Sequence, residues 1–339
     1  MPPADYQAAL TGAALFDRSA AAKLLLTGPD APQFVHNIST NDINGLPLGG
    51  GCETYFCDAR AKALFVAWVY HVRHDGQHAL WLETTPGRGD ALLKHLDRFL
   101  IAEAVELADV TDRYAQFHLA GPAAKAVLER ALGQPFPDLA EFQHAERTVG
   151  GVTASVRRRE PLGLPGYDVV VPTADADAVK QSLIAAGATP ARPAAWETLR
   201  IEAGTPVYGV DIDETRFVME VSNAARAVSY AKGCFPGQEP IVMARDRAGR
   251  VNRSFLGLKG LDGRPIPVGA KLIRDGAEVG QVTSATDSPR LGGPLALGYV
   301  HWKHVEPGTR LEADGVPVEV IGYPPVRRPG AGTVSLHLA

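Results

Sequence analysis

Lys232-Gly233-Cys234-Phe235-Pro236-Gly237-Gln238-Glu239 is the stretch of this chain with the plainest capacity for chemistry. Its cysteine is one of only three, with Cys52 and Cys57. Gly233 and Gly237 free the backbone on either side, Phe235 supplies an apolar wall, and Lys232 places a cation two residues from the sulfur. From Gln238 the chain can turn into a helix with Pro240 in its first turn, where proline is tolerated. A thiol near a helix N-terminus and a lysine has its thiolate favoured, and the thiolate is the form that attacks carbon, sulfur or a metal. The same residues also describe a glycine turn that happens to contain a cysteine, and local spacing does not decide between the two.

Other groups are weaker candidates. Between Trp196 and Cys234 stand Glu202, Asp211, Asp213, Glu214 and Glu220, either solvated loop carboxylates or groups near a ligand pocket. His71, His74 and His78 surround an Asp75-Gly76 hairpin tip, without a carboxylate placed to orient them as metal ligands. Cys52 and Cys57 are five residues apart, so on a strand they face opposite ways and read as small buried hydrophobes. An odd cysteine count without a CxxC pair supports neither a disulfide framework nor a zinc site nor a self-contained cluster. Arg157-Arg158-Arg159 reads as a solvated strand edge, where charge blocks pairing. Gly45–Gly51 lacks the Lys-Ser/Thr ending of a phosphate loop and reads as a turn. A formal net charge of -4 argues against nucleic-acid binding. With no long apolar run and no basic, apolar leader, the expectation is a cytoplasmic protein with no membrane partner.

The elements that would position these groups follow a recurring order. Residues 23–36 and 117–130 each run from an apolar strand through Gly-Pro into a helix, with the proline read as lying just inside the helix start. Residues 167–188 repeat strand then helix, with Thr173 as the expected cap and Gly187 as the stop. Strands and helices do not alternate strictly, which favours α+β. Trp196–Ala203 is spaced like a helix ending at Gly204. After about residue 250, short strands separated by Gly, Pro and Asp-Gly turns predict a small barrel or sandwich, with a last strand at Thr333–Leu338. The expected domains are 1–249, two α+β lobes discontinuous in sequence, and 250–339, a β-barrel.

Three segments, "LRIEAGTPVYGVDID", "KGCFPGQEPIVMAR" and "AEVGQVTSATDSPRLGGPLALGYV", together with "LLLTGPDAPQFVHNISTNDI" near the start, resemble the folate-dependent family of the glycine-cleavage T-protein and its paralogue YgfZ. The Lys-Gly-Cys-aromatic-x-Gly-Gln-Glu signature is similar to that of the YgfZ branch at Lys232, Gly233, Cys234, Phe235, Gly237, Gln238 and Glu239, with Phe235 where that branch often has tyrosine. The resemblance implies a three-lobed ring with a central folate channel and a C-terminal barrel. It also implies tetrahydrofolate or a derivative as ligand, and a role in assembly or maintenance of iron–sulfur clusters in transient protein partners. In that reading Cys234 is the working thiol and a possible transient cluster ligand, Lys232 favours its thiolate, Glu202 contacts the pterin, and no metal is stably bound. The alternative is the aminomethyltransferase of the same superfamily or a related demethylating enzyme. Its catalytic carboxylate would fall on the strand holding Leu64, Phe65 and Val66, all apolar here, with Asp58 earlier on a turn.

Overall fold

The computed structural model describes residues 2–221 and 223–322, apart from the Arg247 and Ala248 side chains. Helix α1 (Ala4–Thr11) leads into β1 (Ala14–Asp17). A first lobe follows, from β2 (Ala22–Thr27), α2 (Ala31–Ile38), β3 (Gly51–Cys57), β4 (Ala63–His74), β5 (Gln77–Thr84), α3 (Gly89–Asp97) and β6 (Glu106–Asp109). Its sheet runs β3-β4-β5-β2-β6. The second lobe holds β7 (Tyr114–Ala120), α4 (Ala124–Leu132), β8 (His144–Val149), β9 (Val152–Arg158), β10 (Gly166–Pro172), α5 (Ala176–Ala185) and β11 (Thr189–Ala191). It also takes in β1, in a sheet ordered β11-β1-β7-β10-β9-β8.

Helices α6 (Pro193–Ala203), α7 (Ala224–Ala227) and α8 (Gln238–Met243) lead to the third lobe. There β12 (Arg253–Gly260), β13 (Lys271–Arg274), β14 (Ala277–Ser288), β15 (Gly293–His301), β16 (Arg310–Ala313) and β17 (Val316–Ile321) close into a barrel, β12-β15-β14-β13-β16-β17. This is the α+β fold with a C-terminal barrel that the strand pattern predicts. The expected strand at Thr333–Leu338 lies outside the described residues.

The two strand–Gly-Pro–helix units are real, but the prolines at 29 and 122 precede the helices rather than sitting inside them. The glycines explain the motif. Gly28 has φ +107° and Gly121 φ +131°, and a Cβ there would lie 2.0 Å from the Ala104 carbonyl oxygen or 2.4 Å from that of Gly12. Only glycine lets the chain turn so close to a neighbouring backbone. Thr173 does not cap α5: its hydroxyl donates to the Asp112 carbonyl, and α5 begins after Asp175. Gly187 does follow the helix end, with φ +104°. Asp75 and Gly76, both at positive φ, form the tip joining β4 to β5.

Alternation along the strands divides each sheet into two faces. Leu24, Leu26, Phe65, Ala67, Val69, Leu80 and Leu82 pack under α2 and α3. Leu15, Phe117, Leu119, Val156, Val169 and Val171 pack under α4 and α5. The opposite faces carry an unusual mixture of aromatic and charged side chains, and these meet between the lobes. Arg157 corrects the reading of 157–159 as a solvated edge: β9 pairs with both β8 and β10, and Arg157 is 1% exposed.

Candidate functional site

A partly open cavity lies between the two sheets. Val66 and Trp68 on β4, Glu83 and Thr84 on β5, Gln116 on β7, Asp168 on β10 and Arg159 after β9 line it. Arg18 and Trp196 form another wall, and the loop after α6, through Thr205–Tyr208 and Ile212, closes it.

Strand register assembles the polar part. In the β7–β10 pair His118 stands opposite Asp168, and in the β9–β10 pair Arg157 does. In the β4–β5 pair Trp68 stands opposite Glu83. His118 Nδ1 donates to Asp168 Oδ1 at 2.7 Å, while its Nε2 is buried with no partner among the described residues. Arg159 bridges the lobes, reaching Asp168 Oδ2 and Glu83 Oε2 at 3.3 Å each. Arg157 pairs with Glu83, which also accepts from Trp81 Nε1 and Gln116 Nε2, each at 3.3 Å. Buried charges persist only when paired and hydrogen-bonded in this way. Burial alone would raise the Asp168 carboxyl, but the Arg159 guanidinium and His118 outweigh it and hold the group down at about 2. Asp168 is thereby held ionised at the cavity, and the Trp68 and Trp196 rings lie in the same wall, under the Arg159 and Arg18 guanidiniums at 4.2 and 4.1 Å.

Glu202, the carboxylate expected at the ligand, does not line this cavity. It is fully buried, accepts from Tyr6 Oη at 2.8 and 2.9 Å and from Ser288 Oγ at 2.5 Å, and lies 3.7 Å from Arg290. It ties α6 to α1 and the barrel and is not among the cavity-lining residues. Asp168, by contrast, does line it. Asp211 is a second internal tie, accepting from Arg200 at 2.9 Å, Thr283 at 2.5 Å and Ser284 at 2.7 Å.

The cysteine loop is built apart from the cavity. Cys234 is exposed, as are Gly233 and Glu239, whereas Phe235 is buried and Gln238 half-buried. The Lys232 ammonium does not serve the thiol as expected. It donates to the carbonyls of His36 and Ser39 at the end of α2, and lies 4.9 Å from the Phe235 ring centre. Burial brings Lys232 down to about 8. Cys57 Sγ donates to the Pro236 carbonyl at 2.9 Å, and Gly237, at φ +82°, starts α8. Burial pushes Cys52 and Cys57 up to about 12. They pack into different cores, on opposite faces of β3. Among the described residues no cluster of three or more His, Cys, Asp and Glu is placed to hold a metal, and no helix is long and apolar enough to cross a membrane.

The structure thus defines a three-lobed protein in which two sheets enclose a cavity lined by apolar, aromatic and charged side chains, and a closed barrel is tied on through Glu202 and Asp211. Residues 3–232 match the GCVT N-terminal domain and residues 253–326 the glycine cleavage T-protein C-terminal barrel domain. The chain belongs to the glycine cleavage T-protein family. It is 30% identical over 336 residues to an aminomethyltransferase of Saccharopolyspora erythraea, covering 96% of this chain and 90% of that one. A second aminomethyltransferase, of Rubrobacter xylanophilus, is 30% identical over 298 residues, covering 88% and 78%. The solved glycine cleavage system aminomethyltransferase T from Bartonella henselae shares the fold, with TM-score 0.84 and 24% identity over 95% of this chain and 88% of that one.

Proposed function

We propose that this protein binds tetrahydrofolate or a derivative in the inter-sheet cavity and acts in assembly or maintenance of iron–sulfur clusters, with Cys234 as its working thiol. The observation that carries the reading is the separation of the two sites. The cavity is lined by two tryptophans and two carboxylates, suited to a flat ring rich in N–H donors. Cys234 is displayed outside it, on a loop fixed from below by Lys232, Cys57 and Phe235. An exposed thiol on a loop anchored in this way suits a protein partner. A single cysteine does not hold a cluster, so a partner would supply the remaining ligands.

The aminomethyltransferase reading is favoured by the names of the relatives. Against it stands the β4 wall, where the cavity meets Val66 and Trp68 and no carboxylate. Asp58 is not at the cavity; its side chain accepts from the amides of Arg60 and Lys62 in a turn. A transferase moving a one-carbon unit needs a group there to manage protons and charge.

The test is genetic rescue combined with an assay. A strain lacking the gene receives wild-type, Cys234→Ser or Asp168→Asn copies, and iron–sulfur enzyme activity and glycine cleavage are scored. Restoration of iron–sulfur activity by wild type alone supports the proposal. Full rescue by Cys234→Ser refutes the thiol role, and ammonia release from an aminomethylated lipoyl carrier with tetrahydrofolate would establish the transferase.

A further inference from the structure

Three arginines reach the inter-sheet cluster, but only two are matched. Arg157 and Arg159 are engaged by Glu83 and Asp168. Arg18 is not: among the described residues its guanidinium makes no hydrogen bond or ion pair. It lies instead over the Trp196 ring at 4.1 Å, at the cavity wall. Its position is not a consequence of looseness. The Arg18 amide donates to the Gln116 carbonyl at 2.8 Å, and Trp196 is wedged edge-on against Phe16 at 5.3 Å and His118 at 5.2 Å. Burial pushes the guanidinium below its ordinary value, and the more distant Asp168 only partly offsets this. A half-buried cation with five donors and no acceptor is costly unless something completes it. Of the cavity-lining arginines, Arg159 is paired with Glu83 and Asp168, and Arg200 with Glu197 and Asp211, which leaves Arg18 without a carboxylate partner among the described residues.

We propose that Arg18 is an anion subsite, taking a carboxylate of the cavity's ligand while the Trp196 ring holds the guanidinium plane in place. This rests on the folate reading for the rest of the ligand. It adds that the bound species carries an anionic group that reaches Arg18. A guanidinium fork matches a carboxylate bidentately, which an ammonium does not reproduce.

The experiment is calorimetric titration of the full-length protein, wild type, Arg18→Gln and Arg18→Lys, with three probes. These are tetrahydrofolate, 6-methyltetrahydropterin (the ring without carboxylates) and p-aminobenzoylglutamate. Thermal melts establish that each variant is folded. The expected result is that wild type prefers tetrahydrofolate over the tetrahydropterin by about tenfold or more, as a charge-assisted contact would give. Arg18→Gln should remove that preference while leaving tetrahydropterin affinity unchanged, and Arg18→Lys should keep part of it. An unchanged preference in Arg18→Gln overturns the subsite, as does an equal loss for both ligands. Arg18-dependent binding of p-aminobenzoylglutamate with no tetrahydropterin binding would reject the pterin reading and keep the anion subsite. Binding of none of the three by wild type would reject both.

Discussion

Asp168 is a buried carboxylate at the cavity, and His118 decides how it is presented. The imidazole is fully buried between β7 and β10, and its Nδ1 proton fixes one carboxylate oxygen while Arg159 approaches the other. Gly166 makes room for the ring, since a Cβ there would come within 2.9 Å of His118 Nε2. His118→Ala should leave the carboxylate with one partner fewer, lowering stability by about 1–3 kcal/mol in urea unfolding and weakening tetrahydrofolate binding. His118→Asn returns an amide donor close to the Nδ1 position and should recover most of the affinity. Equal affinities for the two variants would show that the ring only fills space. None of this pairing could be read from the sequence. Glu202 and Asp168 are both carboxylates near apolar strand or helix residues, and only the β7–β10 register separates a cavity group from a structural tie. Arg157 and Arg159 looked solvated because their partner, Glu83, is more than seventy residues away and on the other sheet.

The elements themselves were far more legible, because their signals are local. Gly-Pro after an apolar strand, Asp-Gly between strand formers and Gly204 after a helical spacing each mark a turn that only certain backbones can make. The cysteine loop shows the same principle at higher resolution. Gly237 sits at φ +82°, and a Cβ there would lie 2.6 Å from the Asp58 carbonyl oxygen and 2.9 Å from Cys57 Sγ. Gly237→Ala should therefore push the loop off β3 and cost about 1–3 kcal/mol, from left-handed strain and the steric conflict together. The specific reporter is Cys57, which is 4% exposed and bonded to Pro236. In the variant it should react with a thiol alkylating reagent much faster than in wild type, while the exposed Cys234 reacts readily in both. An unchanged Cys57 rate would mean that Gly237 does not hold the loop down. What remained hidden at this scale was the work of Lys232: sequence put it beside the thiol, whereas the end of α2 offers its ammonium two carbonyl acceptors that no local pattern announces.

Across the whole molecule, buried histidines make the fold responsive to protons. Burial, and secondarily Arg98 and Arg157, hold His95 and His144 down at about 4, against an ordinary value of 6.5. Between those values the unfolded chain binds protons that the folded chain excludes. Each histidine's contribution to stability is therefore complete above about pH 6.5 and is lost as the pH falls toward 4. Asp168 works in a lower window. Its carboxyl is held at about 2 rather than 3.8, so its contribution is present above the unfolded value and is lost only as the pH drops through about 2. Thermal melts should thus show Tm falling between pH 6.5 and 4, then falling again below about 4. The first fall should be shallower in His95→Leu, because His95 is 3% exposed among Phe56, Phe65 and Phe99 and its replacement removes a proton acceptor without opening the core. A Tm constant from pH 7 to 4 would contradict the burial of these rings. A first fall of the same steepness in His95→Leu would place the responsible groups elsewhere, with His144 against Tyr70 at the lobe boundary the next to replace.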